Sequence, residues 1–181
     1  MPLATISKLD AARAQLDAAI ELFFTSDNVV AIHTLTAAAY NVLRDLARHQ
    51  GLEFPFIKSG LMESIEPHQR AAVHRYIHAA ENFFKHADHD PSEVLELNPE
   101  LTELLLVDAC SYFRQVDASA PRNADAMKVW CGNLREGIEP DSPLGQFTVA
   151  AVAAFRASGK QQFWHWYQQI LDGKRVQANA L

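Results

Sequence analysis

Apolar side chains recur every three or four residues along most of this chain, which is the spacing of an amphipathic helix. Ser7 followed by Asp10 is a capping pair typical of a helix start. We therefore predict a first helix from Ser7 to about Phe24, with its apolar face formed by Leu9, Leu16, Ile20 and Phe23. No run of alternating β-branched residues competes with the helical pattern.

Capping residues, glycine and proline indicate where the other helices begin and end. Ser26 or Asp27 caps a second helix, which ends at about His49, before Gly51. The remaining predicted helices span about 67–87, 98–116, 123–135 and 142–172, and Gly159 breaks or kinks the last of them. The pattern predicts an all-α bundle of about six or seven helices, with a single helical domain over 1–173 and a disordered C-terminal tail over 174–181.

The composition agrees with one globular domain, since the 181 residues are 49% hydrophobic and 21% charged. The net charge of -6 disfavours nucleic-acid binding over the whole surface, although a local basic groove could still bind phosphate. Cys110 and Cys131 fall inside predicted helices, which indicates reduced core thiols and a cytoplasmic location. We expect no signal peptide and no membrane span, because no apolar stretch approaches about 20 residues.

The predicted third helix has an unusual polar face. Five of the eight histidines lie between His68 and His89. On a helical wheel, one stripe beside the apolar arc contains Arg70, His74, His78, Glu81 and Lys85. This stripe presents hydrogen-bond donors and possible ligands in register.

The second helix has a comparable line, formed by His33, Ala37, Asn41, Arg44 and Arg48. If the second and third helices pack antiparallel, the two stripes border one groove. Arg44 or Arg48 could then meet Glu81, and the remaining cations would favour an anion. The alternative is an ordinary solvated face, since polar stripes beside apolar arcs are common on surface helices.

A metal site is a second alternative, because His74 and His78 lie one turn apart and both imidazoles could reach one ion. The Glu-x-x-His pairs of helical di-metal sites are missing, and the other helices supply no convincing ligands. The segment from His86 to Asp90 is more typical of a helix C-terminus followed by a turn. We therefore expect no metal and no cofactor.

Arg44 and His49 are separated by four residues, and Asn82 precedes His86 by four positions. The first spacing resembles the R-x(4–6)-H signature of the HEPN superfamily, and the second resembles the Asn-x-x-x-His portion of that motif. The resemblance implies a small helical bundle that commonly dimerises. Many HEPN proteins are metal-independent ribonucleases, and others bind nucleotides or serve as partners of nucleotidyltransferases. On an ideal helix Arg44 and His49 point to different sides. Their side chains therefore converge only if the end of the helix unwinds before Gly51.

The resemblance implies a catalytic pair in which Arg44 stabilises charge on a scissile phosphate and His49 acts as general acid or base. We expect a homodimer that binds RNA or a nucleotide through side chains of Arg48, His74, His78, Glu81, Asn82, Lys85 and His86. The alternative is a non-catalytic interaction module with solvated stripes. In that case a partner would meet the aromatic C-terminal segment, which contains Phe163, Trp164, Trp166 and Tyr167. The other interpretation of this segment is core packing against the first helix.

Overall fold

A computed structural model describes residues 3–52, 66–68, 70–86, 91–131 and 143–173. These residues form seven helices and no strand, which confirms the all-α prediction. The helices are α1 (Lys8–Thr25), α2 (Val29–His49), α3 (Arg70–Phe83), α4 (Pro99–Val116), α5 (Ala124–Trp130), α6 (Pro143–Ser158) and α7 (Lys160–Leu171). The predicted tail over 174–181 lies outside the described residues.

Side-chain caps begin the first two helices. The Ser7 hydroxyl accepts from the backbone N–H of Asp10 at 3.0 Å, and the Asp10 carboxylate accepts from the backbone N–H of Ser7 at 3.1 Å. This reciprocal pair is the predicted capping box. The predicted cap of α2 at Ser26 or Asp27 is wrong. Asn28 is the N-cap, because its side-chain oxygen reaches the N–H of Ala31, three residues into the helix, at 3.1 Å.

Helix α3 is shorter than predicted. Pro67 lies in a turn before the helix, which runs from Arg70 to Phe83 and gives way to a second turn well before Ala87. Helix α5 ends at Trp130, Cys131 lies in the turn that follows, and the rest of the predicted length, 132–135, lies outside the described residues. The predicted break at Gly159 is confirmed, since this residue separates α6 from α7 with φ 86° and ψ 160°.

Helices α1 and α2 pack together at the centre of the bundle, and α4, α5 and α7 also contact α1. Helices α2 and α4 run parallel, because His33 meets Thr102 near their starts and Tyr40 meets Tyr112 further along. The largest fully buried side chains come mainly from these central helices and include Leu16, Ile20, Phe24, Tyr40, Leu43, Leu106, Phe113 and Met127. Within the described parts of the chain, no helix combines the length and apolar character needed to cross a bilayer.

The aromatic side chains of α7 pack mainly into the core. Phe163, Trp166 and Tyr167 are buried. The ring of Phe24 on α1 lies 5.1 Å from Phe163, 5.2 Å from Trp164 and 5.6 Å from Trp130 on α5. Of the two roles open to this segment from sequence, core packing against the first helix is therefore the observed one.

Candidate functional site

Helices α2 and α3 contact each other through the two polar stripes. The ring of His33, near the start of α2, lies 5.8 Å from the ring of Phe84, just after α3 ends. Asn41, two turns further along α2, donates to Glu81 on α3 at 2.6 Å. Later positions of α2 therefore face earlier positions of α3, and the two helices run antiparallel. This is the packing that the common-groove hypothesis requires.

The Glu81 carboxylate lies at the centre of this contact and is only 9% exposed. Its Oε1 atom accepts from Asn41 Nδ2 at 2.6 Å and from Lys85 Nζ at 2.8 Å. Its Oε2 atom lies 3.5 Å from His78 Nδ1. Withdrawing a carboxylate from water is costly unless hydrogen bonds and charges compensate. These three partners supply that compensation, and the hydrogen bond from Asn41 ties α3 to α2.

Asn41 was not among the predicted ligand-binding residues, although it lies in the polar line of α2. Its position between Ala37 and Arg44 in that line was the feature of the sequence that could have identified it as a site residue. The sequence did not show that an amide, rather than a guanidinium, lies opposite Glu81.

The expected contact of Arg44 or Arg48 with Glu81 is wrong. Arg44 Nε and Nη2 each lie 3.1 Å from Asp45 Oδ1, and Arg48 Nη1 lies 3.9 Å from the same oxygen. Glu81 already has Asn41 and Lys85 as close donors, whereas Asp45 is adjacent to Arg44 along α2. The Arg48 side chain is 76% exposed and therefore accessible to a ligand.

Arg44 and His49 point to different sides of α2. Helix α2 stays regular through His49, since the N–H of Gln50 still donates to the carbonyl of Leu46 at 3.0 Å. Residues five positions apart on a regular helix point to different sides. The unwinding that would bring Arg44 and His49 together is therefore missing from the described conformation, and His49 is exposed at the helix end.

The second half of the resemblance lies at the end of α3. The side chains of Asn82 and His86 are both exposed, and the backbone N–H of His86 donates to the carbonyl of Asn82 at 3.1 Å. The side chain of His74 lies outside the described residues. Among the described side chains, no group of three or more His, Cys, Asp or Glu residues could hold a metal ion.

His33 has a different position from the rest of its stripe. It is 4% exposed, and its Nδ1 atom lies 2.9 Å from Thr102 Oγ1 on α4. This histidine connects α2 with α4 inside the bundle. The accessible part of the α2 stripe therefore begins at Asn41 and continues through Arg44 and Arg48.

The face shared by α2 and α3 combines an imidazole beside a buried carboxylate with cations further along both helices. Lys85 lies in the turn that follows α3, and Arg44 and Arg48 follow Asn41 on α2. Such a face can donate hydrogen bonds to an anion and can transfer a proton near neutral pH. No family model matches this chain, and no curated protein or solved structure is significantly similar to it.

Proposed function

We propose that this protein binds the phosphate groups of RNA or of a nucleotide along the face shared by α2 and α3. The hydrogen bond of 2.6 Å between Asn41 and Glu81 carries the proposal, because it places the two polar stripes side by side. Arg44 and Arg48 extend this face along α2, and Lys85 extends it into the turn after α3.

Each cation on this face can contact a phosphate group. Each guanidinium can form paired hydrogen bonds with phosphate oxygens, and Lys85 adds a mobile ammonium group. A phosphate would compete with Asp45 for Arg44 and Arg48, whose ion pairs with Asp45 are partly exposed and therefore weak. Because the whole chain carries a net charge of -6, attraction must come from this local cluster, and binding should weaken with salt.

The HEPN resemblance extends this proposal to a homodimer in the cytoplasm. Multi-angle light scattering of the full chain, with and without RNA, measures the oligomeric state. A particle of twice the chain mass of 20.2 kDa is expected. A monomer at all concentrations would contradict the proposed dimer. It would not affect the phosphate-binding proposal, which the ligand titrations test separately.

Ligand binding is tested with inorganic phosphate, ATP and a single-stranded RNA oligonucleotide, using the melting temperature and a direct titration. We expect each ligand that binds to raise the melting temperature by mass action. Arg44→Ala should weaken binding about tenfold, since it removes a charged hydrogen-bond donor. Comparison of the three ligands separates a preference for RNA from a preference for a free nucleotide or phosphate.

Arg122→Ala is the matched control. Arg122 also forms one surface ion pair with an aspartate, at 2.8 Å to Asp172, but it precedes α5 and lies away from the α2–α3 face. Its removal should leave binding unchanged. Equal losses for Arg44→Ala and Arg122→Ala would point to nonspecific charge attraction, and no binding by any of the three ligands would contradict the proposal.

The interaction-module alternative receives less support. Its strongest feature was the aromatic C-terminal helix, whose rings pack on Phe24 and Trp130. We therefore do not propose a partner at that helix.

A further inference from the structure

We propose that Asp45 is an internal competitor for the anion, a carboxylate that occupies the two arginines of α2 until a ligand replaces it. The inference rests on the proposed phosphate binding and adds the regulation of that site. Asp45 must release Arg44 and Arg48 before their guanidinium groups can turn to a phosphate. The measured affinity of the site is therefore lower than the affinity of the released arginines.

One oxygen of the Asp45 carboxylate attracts both guanidinium groups. Arg44 Nε and Nη2 each lie 3.1 Å from Asp45 Oδ1, and Arg48 Nη1 lies 3.9 Å from the same atom. A guanidinium binds a phosphate oxygen through the same N–H donors. The carboxylate therefore engages the groups that a bound phosphate would need.

The two carboxylates of the α2–α3 face differ in how firmly they are held. The side chain of Glu81 is 10% exposed and accepts from Asn41 and Lys85, so its release would leave a buried charge without compensation. The side chain of Asp45 is 55% exposed, and its ion pairs and hydrogen bonds with described residues are all to the two arginines. Water can solvate Asp45 once the arginines turn away. Asp45 is therefore the carboxylate of this face that a ligand can replace.

The exposure of the Asp45 contact sets the size of the expected effect. Ion pairs between exposed side chains are weak because water solvates both partners, so the arginines are held for only part of the time. A site that is open for a fraction of the time has its apparent dissociation constant raised by the inverse of that fraction. For an exposed ion pair, this competition weakens binding about two- to sixfold.

The test measures the dissociation constant of inorganic phosphate for the full chain, by isothermal titration calorimetry at neutral pH and low ionic strength. Asp45→Asn keeps the shape of the side chain and removes its charge. We expect this variant to bind phosphate about two- to sixfold more tightly than the wild type. Circular dichroism should show the same helix content in both proteins, because the contact is confined to one side of α2. The gain should shrink as salt is added, since salt screens an exposed ion pair.

Asp172→Asn is the matched control. This aspartate also pairs with an arginine, at 2.8 Å to Arg122, and its side chain is 48% exposed compared with 55% for Asp45. It caps the C-terminal end of α7, a helix that packs on α1 and α6. Both substitutions remove one negative charge from the chain. An equal gain in the two variants would therefore show general charge repulsion and overturn the role of Asp45.

A double-mutant comparison tests whether Asp45 acts through Arg44. In the Arg44→Ala background, Asp45→Asn should improve phosphate binding less than it does in the wild type, because the closer of the two arginines has gone. A gain of the same size in both backgrounds would contradict competition for that arginine.

The outcomes separate this inference from the proposal on which it rests. If phosphate binds to the wild type and to Asp45→Asn with the same dissociation constant, Asp45 does not compete, and phosphate binding still stands. Binding that is detected only with Asp45→Asn would support the inference, since the released arginines then form the site. Absence of phosphate binding to either protein would contradict both proposals.

Discussion

Glu81 and Asp17 show two ways in which this bundle accommodates a carboxylate that is shielded from water. Glu81 has hydrogen bonds from Asn41 and Lys85 and lies beside His78. Asp17 on α1 is shielded mainly by burial, which raises the pKa of its carboxyl, and a hydrogen bond from the backbone of Asn123 only partly opposes that shift. The first carboxylate therefore belongs to the candidate site, and the second is a source of pH-dependent stability.

Asp17→Asn tests this pH dependence. Because folding raises the pKa of Asp17, its contribution to stability is fully present below its unfolded pKa of about 3.9. That contribution is lost as the pH rises through the folded pKa. The variant cannot titrate at this position. In urea titrations, the free energy of unfolding of the wild type, relative to Asp17→Asn, should therefore fall as the pH rises above about 3.9. A constant difference would show that burial of Asp17 does not affect its titration.

At the scale of the helices, Gly159 determines how the C-terminal third of the described chain turns. It separates α6 from α7 with φ 86° and ψ 160°, a backbone region that is essentially restricted to glycine. A Cβ atom added there would meet nothing within 4 Å. The requirement for glycine therefore comes from the backbone itself and not from crowding. The turn allows Phe163 and Tyr167 to pack into the core.

Gly159→Ala should lower the free energy of unfolding by about 1–3 kcal/mol, the cost of a strained backbone conformation. Chemical denaturation monitored by tryptophan fluorescence measures the loss. Gly173→Ala is the comparison, because that glycine has φ 71° at the end of α7, where fraying can relieve the strain. A loss at Gly159 no larger than at Gly173 would contradict the assigned role.

At the scale of the whole molecule, one aromatic cluster joins helices that are distant in sequence. Phe24 from α1 contacts Trp130 from α5, and it contacts Phe163 and Trp164 from α7. Phe24 is 1% exposed, so its ring contributes its full apolar surface to the core. This cluster lies near the end of α1, whereas the candidate site lies between α2 and α3. The aromatic cluster and the candidate site therefore lie in different parts of the bundle.

Phe24→Ala should lower the free energy of unfolding by about 3–5 kcal/mol, because it removes a buried ring and leaves a cavity among three helices. Urea titrations followed by circular dichroism measure the loss. Val30→Ala, at a position 48% exposed on α2, should change stability by less than about 0.5 kcal/mol. Similar losses for both variants would exclude a central role for the aromatic cluster.

Local patterns in the sequence were sufficient to predict the helices. The capping box at Ser7, the break at Gly159 and the apolar periodicity each depend on residues within a few positions of one another. The boundary errors have the same local character. Asn28, and not Ser26 or Asp27, is the cap of α2. Several neighbouring polar residues were suitable, and only the backbone geometry selects one of them.

The sequence by itself also determined that polar stripes lie along the second and third helices. Only the tertiary structure decided which members of those stripes meet. Asn41 faces Glu81, the two arginines contact Asp45, and His33 is buried against Thr102. The physical reason is that helical spacing specifies the side of one helix on which a residue lies. Hydrogen-bond partners between helices depend instead on crossing geometry and on distances of about 3 Å, which periodicity does not encode.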